Sequence, residues 1–196
     1  MPKNVDHDAR RADIVRAVWR LIARDGIEAA SMRRMAEELG FANGALAGYF
    51  PHKRAILAAA FRHVYTATND RYEVDRQRGL RGLPALRAFL LQVFPLDEER
   101  LLEARIAIPF MEHAAHDAEM RELYVELMAG WQRELRVLLH EAIDEGDAAP
   151  DLDIDVVVAH LIGVSQGVQA SRVLNPDDTS PAVLRGMIEL LLRSVR

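Results

Sequence analysis

The chain has 196 residues, half of them hydrophobic and 28% charged, with a formal net charge of −5 and no cysteine. That length suits one large domain or two small ones with ample core material. The missing cysteine excludes disulfides, zinc–thiolate sites and cysteine nucleophiles and is compatible with a reducing cytoplasm, the expected location. No apolar stretch approaches the roughly 20 residues that span a bilayer. The N-terminus is charged and lacks an apolar signal core, so secretion is not expected.

Helical periodicity runs through nearly the whole chain and no alternating strand pattern survives, so an all-α fold of about nine helices is predicted. Asp6 or Asp8 can cap a first helix reaching Asp25, with Ile14, Val15, Val18, Leu21 and Ile22 inward and Gly26 closing it. Two short helices occupy 31–50. A fourth runs from Arg54 to Arg78 and carries Ile56, Leu57, Phe61, Val64 and Tyr72. Gly79-Leu80-Arg81-Gly82-Leu83-Pro84 is the clearest break and the predicted linker. A fifth helix follows over 84–94. A sixth starts near Asp97 and contains Pro109, which is expected to kink or split it. A seventh covers 117–145, a loop 146–150, an eighth 153–174 and a ninth 180–195. Ser180-Pro181 is a strong start signal, a cap followed by proline at the first helical position. The predicted organisation is a head over 1–53, a connecting helix over 54–78 and a body over 79–196.

The stretch from Ser31 to Arg54 is the most informative. Ser31 is a good N-cap, Met35, Ala36 and Leu39 share a buried face, and Gly40 suits a left-handed helix end. After a three-residue turn, Gly44-Ala45-Leu46-Ala47-Gly48 starts a slim second helix, closed by Tyr49-Phe50. Pro51 re-aims the chain before the basic cluster His52, Lys53 and Arg54. This is the layout of a helix-turn-helix, whose second helix must be slim to enter the DNA major groove. Residues 1–60 also hold ten Lys and Arg against seven Asp and Glu, while 61–196 hold 15 against 23. A basic head on an acidic body agrees with nucleic-acid binding at one end.

The order and spacing of Gly26-Ile27-Glu28, Ser31-Met32-Arg33-Arg34-Met35-Ala36, Gly40-Phe41, Leu46, Tyr49-Phe50, Lys53 and Leu57 resemble the DNA-binding domain of the tetracycline-repressor (TetR) family of bacterial transcription regulators. The resemblance covers roughly the first third of the chain. The rest is similar to the choline-regulator (BetI-like) branch in length and helical character. The chain departs from the family at Ala47, where an aromatic or basic residue is usual, and at Gly48, where a bulky one is. One phosphate contact is thereby absent, and readout leans on Asn43 and the flanks.

The resemblance implies a repressor that binds palindromic double-stranded operator DNA as a homodimer and is released by a small-molecule effector. Arg33 is placed to pair with guanine, or else is a solvated surface arginine. Arg34 is solvated or touches phosphate. Asn43 reads adenine or caps the second helix. Ala42, Gly44 and Ala45 permit close approach to bases. Tyr49 donates to phosphate or packs under Phe50. His52 and Lys53 stand where phosphate contacts are made, and Arg10 and Arg11 contact phosphate or hang in solvent.

The last two helices are apolar nearly all round, which requires cover on several sides. A second subunit is the expected cover, with Val157, Leu161, Gly163, Val164, Gly167, Val168, Leu184, Met187, Ile188 and Leu191 at the interface; the alternative is burial within the chain's own domain. For the effector, Phe94, Ile106, Phe110, His113, Tyr124, Met128, Trp131 and Gln166 mix aromatic surface with a few polar groups as ligand pockets do, although each is also an ordinary core residue type. A hydrophobic or cationic molecule is expected, a quaternary amine being one class that aromatic faces attract. His113 and His116 lack further ligands, so no metal and no cofactor are expected. No nucleophile–base pattern supports catalysis, so no enzyme is expected. Two rivals remain: a ligand-independent DNA-binding factor, and a helical carrier or enzyme with an inactive head.

Overall fold

The computed structural model describes residues 7–29, 31–42 and 44–196. The order of elements is α1 (His7–Ala29), α2 (Met32–Glu38), a 3-10 turn (Ala45–Gly48), α3 (Lys53–Gln77), α4 (Gly82–Val93), α5 (Glu98–His116), α6 (Ala118–Asp144), α7 (Ile154–Leu174) and α8 (Pro181–Arg193). No strand occurs among the described residues.

Local chemistry sets most helix starts. The Ser31 hydroxyl accepts from the Arg34 N–H at 3.2 Å, and Asp97, Asp117 and Asp153 accept from Arg100, Met120 and Val156 at 2.9, 3.1 and 3.2 Å. Ser180 caps α8 ahead of Pro181, and His52 caps α3 through Nδ1, which accepts from the Ala55 N–H at 3.1 Å. Each such cap contributes about 1 kcal/mol. Gly26 takes φ 79° and ψ 162°, so the regular part of α1 stops where the sequence places its end.

Two apolar clusters fill the molecule. The first joins Ile14, Val18 and Ile22 of α1 to Met35, Leu46 and Phe50, and continues through Ile56 and Phe61 of α3 to Phe110 of α5 and Met128 of α6. The second gathers Leu86 and Phe89 of α4, Leu138 of α6, Leu161 of α7 and Leu184 and Ile188 of α8. Trp131 packs against both. Its ring stacks on Tyr65 at 5.5 Å and meets the edge of Phe89 at 5.4 Å, while its Nε1–H donates to Asn69 Oδ1 at 2.8 Å.

The α3 helix is strapped to α5 and α6 along its length. Arg54 pairs with Asp117 at the joint between those helices. Arg62 reaches Glu126 at 3.4 Å, Arg71 pairs with Glu103 at 2.8 Å, and Arg76 pairs with Glu141 at 3.0 Å. Glu141 also accepts from the Gly82 N–H at 3.0 Å and so fixes the start of α4. Arg76 holds the Glu141 carboxyl below the usual carboxylate range. Gly82 has φ +48°, and an added Cβ would lie 2.5 Å from Glu145 Oε2 and 3.2 Å from Ala142 Cα, so this position requires glycine.

Three expectations need correction. The second helix of the helix-turn-helix is only a 3-10 turn, Ala45–Gly48. Gly44 in the left-handed region and Gly48 at the far end leave too few helix formers to propagate it. The α5 helix runs through Pro109 and is not split there. Finally, α4 begins at Gly82, ahead of Pro84, because Glu141 supplies the first N–H with its acceptor.

Candidate nucleic-acid interface and effector cavity

The α2 helix and the 3-10 turn are held together from beneath by Met35, Leu46 and Phe50, each no more than 1% exposed. What faces outward is small. Ala42, Gly44, Ala45, Ala47 and Gly48 are all exposed, and a Cβ added at Gly48 would meet nothing within 4 Å. Gly44 opens the turn with φ 84°, a conformation that favours glycine. Asn43 lies outside the described residues.

The basic residues around this surface divide into two groups. Arg34 donates to Asp25 at 2.6 Å, and Arg24 reaches the same carboxylate at 2.8 Å. Arg24 pulls the Asp25 carboxyl below the usual range, against its partial burial. Arg34 thereby ties α2 to the end of α1, and Arg24 adds a 3.4 Å contact to Glu38 of α2. Arg10 and Arg11 lie over the rings of Phe41 and Phe50 at 5.0 and 4.5 Å rather than hanging free. Arg33 is different: its side chain is 81% exposed, with only a loose 3.5 Å approach to Glu37. Lys53 is the first residue of α3, whose first turn holds no acid, and a helix N-terminus attracts phosphate. His52 is occupied in capping, and Tyr49 packs edge-on against Phe41 at 5.7 Å and against the core cluster that holds Phe50.

Within the body, α3, α5, α6 and α7 enclose a cavity with about 40 Å³ of free space. That is far below the roughly 300–1,000 Å³ of ordinary ligand pockets. Of the predicted ligand residues, Tyr124, Met128, Trp131 and Gln166 line it. Phe94, Ile106, Phe110 and His113 do not. The first three are completely buried core, and the Phe110 face is covered by Phe61 at 3.9 Å. The lining also includes Tyr65, Arg100, Glu103, Met111, Ser165 and Gln169, which the sequence did not single out. Gln166 donates to the Tyr124 hydroxyl, and burial raises that phenol above its ordinary range. Both oxygens of Glu103 accept from Arg71 at 2.8 Å. Burial pushes the Glu103 carboxyl up against the pull of that guanidinium. A larger groove of about 910 Å³ lies between α1, α3 and α6. It opens to solvent between charged rims and would leave a ligand largely exposed. Among the described residues no group of three metal-ligating side chains forms, at His113 and His116 or elsewhere.

The outer face of α7 and α8 is the third feature. Leu161, Val168, Leu184, Ile188 and Leu191 of the predicted interface are buried in the chain's own second core, because α7 and α8 already cover the body with one side each. The opposite side carries Val156, Leu174, Val183 and Leu190, exposed by 62, 81, 47 and 60%. Between them Gly163, Gly167 and Gly186 are open, with nothing within 4 Å of an added Cβ. Val157, Val164 and Met187 are half-buried at its border. No helix among the described residues is long and apolar enough to cross a membrane.

An all-helical chain with a small helix-turn-helix head and a larger helical body has the architecture of a one-component transcription regulator. Comparison with known proteins agrees. Residues 14–60 match the family described as bacterial regulatory proteins, tetR family, and residues 84–196 match the BetI-type transcriptional repressor C-terminal family. The HTH-type transcriptional regulator PksA of Bacillus subtilis is 31% identical over 177 residues, covering 90% of this chain and 84% of that one. The regulator BetI of Vibrio atlanticus is 22% identical over 96% of this chain and 92% of its own. Among solved structures, a putative transcriptional regulator from Saccharomonospora viridis in complex with choline superposes with a TM-score of 0.86 at 21% identity, covering 95% of this chain and 96% of that one. The chain belongs to the TetR family of bacterial transcriptional regulators, and its body is of the BetI type.

Proposed function

We propose that the protein is a repressor that binds a palindromic operator as a homodimer and is released by a small-molecule effector. The observation that carries this reading is the slim, exposed turn at 44–48 flanked by Arg33 and Lys53. An acidic turn would be repelled by the phosphates that flank the bases. Two such turns must stand about 34–36 Å apart to enter successive major grooves on one side of the duplex. The apolar outer face of α7 and α8 supplies the means of pairing, since an exposed stripe of this kind marks an association surface. The residues over 1–53 act as the reading head, 54–78 as the shaft and 79–196 as the sensor and dimer body. The protein works in the cytoplasm beside the chromosome, without catalysis.

The effector site is the inner cavity against Trp131. Because its present free space is so small, a ligand must push side chains apart to enter. A ligand that binds only an expanded form favours that form. The straps from α3 to Glu103, Glu126 and Asp117 would carry the expansion to Lys53 and the head. Selection from random duplex DNA by the full-length protein tests the reading. A palindromic consensus enriched by the wild type and lost with Arg33→Ala supports it. Retention of all duplexes alike at moderate salt contradicts it.

A further inference from the structure

We infer that the effector is an amphipathic acid, with its anionic group at Arg100 and its apolar part against Met111, Met128 and Phe61; this rests on the reading of the inner cavity as the effector site.

The polar end of the cavity is made by α3, α4 and α5. Arg100 stands in the first turn of α5, and its side chain is only 17% exposed. One of its terminal nitrogens donates to Asp97 and the other to Gln92 Oε1 at 2.5 Å. Its Nε–H is buried and has no acceptor. A buried donor without a partner is costly, more so on a charged group. The neighbouring acid is in the opposite condition. Glu103 already receives two N–H groups from Arg71 at 2.8 Å, and Gln92 Oε1 is shared by Arg71 at 3.2 Å and Arg100.

A cation entering this end would find its only lining carboxylate engaged by one guanidinium and would face a second. An anion would find a spare donor on a positively charged group. Asp97 and Glu99 complete the local charges: Asp97 pairs with a terminal nitrogen of Arg100 and Glu99 lies 3.7 Å from Arg71, both acids half or more exposed, and neither takes the Arg100 Nε–H. Away from Arg100 the wall includes yielding apolar side chains beside the Tyr124–Gln166 pair. Met111 and Met128 line it, and methionine side chains re-pack at low cost. The site can therefore open lengthwise from a fixed anion seat. A carboxylate oxygen accepting from Arg100 Nε–H would satisfy the orphan donor, and a tail displacing the methionines would supply the expansion.

Four probes separate the possibilities: octanoate, 1-octanol, octyltrimethylammonium and choline. Each is titrated against the full-length wild type, reading melting temperature and release of the selected operator. Octanoate is expected to act at roughly tenfold lower concentration than octanol, the scale of one charge-assisted hydrogen bond. Arg100→Gln should abolish that margin while leaving the octanol response unchanged, which also shows the variant is folded. Arg100→Lys, which keeps the charge but removes the Nε–H, should restore only part of it. Either cation acting below octanoate, an octanoate margin that survives both variants, or no response to any probe would overturn the proposal. Ala107→Trp, which fills the cavity, tells the two readings apart. If it blocks octanol while wild type shows no preference for octanoate, the cavity reading stands and the acid head group falls. If octanol binds Ala107→Trp as well as wild type, the ligands bind elsewhere and both fall.

Discussion

The two ends of α3 treat charge in opposite ways. At the Lys53 end the cations lie at the surface, with Arg33 and Arg54 exposed by 81 and 60%. At the far end Arg71 and Arg76 are about one-fifth exposed, and their partners Glu103 and Glu141 show 9 and 10% of their side chains. Exposed pairs contribute little to stability and exchange partners readily. Buried pairs persist only when their hydrogen bonds are complete, and breaking one leaves a charge uncompensated. The head therefore keeps Arg33 and Arg54 within reach of a polyanion, while the body locks Arg71 and Arg76 into structure around a site in its interior.

Removing one partner of a buried pair should have the largest effect. Arg71→Ala strands Glu103 and should cost about 3–5 kcal/mol in urea unfolding. Burial already pushes the Glu103 carboxyl up, and without Arg71 it rises further. A carboxyl whose folded value exceeds its unfolded one loses stability as pH climbs through that range, so the deficit should shrink toward about pH 5 and grow toward pH 8. A deficit that is independent of pH would mean Glu103 is not the stranded group.

Next comes the outer face. Gly167→Glu sets a charge on the open stripe of α7. It should convert the dimer to monomer in sedimentation at micromolar concentration without lowering the helical signal. A variant that still sediments as a dimer moves the interface elsewhere. In the head the effects are smaller and confined to DNA. Arg33→Ala should cost about 1–3 kcal/mol of operator binding and relax one base position. Lys53→Ala should weaken all sequences alike and flatten the dependence on salt by about one unit. Arg33→Ala should leave the melting temperature unchanged, since that side chain is 81% exposed.

This contrast also explains what the sequence disclosed. Caps act within three residues, so Ser31, Asp97, Asp117, Asp153 and Ser180 announce the starts of α2, α5, α6, α7 and α8. The all-helical class and the family followed from such local patterns. The length of the recognition element did not, because Ala45-Leu46-Ala47 is helical by composition and only the flanking glycines limit it to one turn. The cavity was half legible. Tyr124 and Trp131 stand out as aromatics, but so do Phe94 and Phe110, and only packing shows that the latter are covered. Arg100 and Glu103 resemble ordinary helix-start charges. Their burial depends on Arg71, 32 residues from Glu103 in sequence, and no local pattern reports such a meeting. The proposed dimer face was obscured by the same cause, since α7 and α8 are apolar on both sides and only the fold shows which side the chain itself covers.

The most direct test is the stoichiometry of the full-length protein on its selected palindromic duplex, measured by sedimentation at moderate salt. The account predicts two chains per duplex, with wild type retaining the complex under conditions where Arg33→Ala releases it. One chain per duplex, or equal retention of wild type and Arg33→Ala, would contradict it.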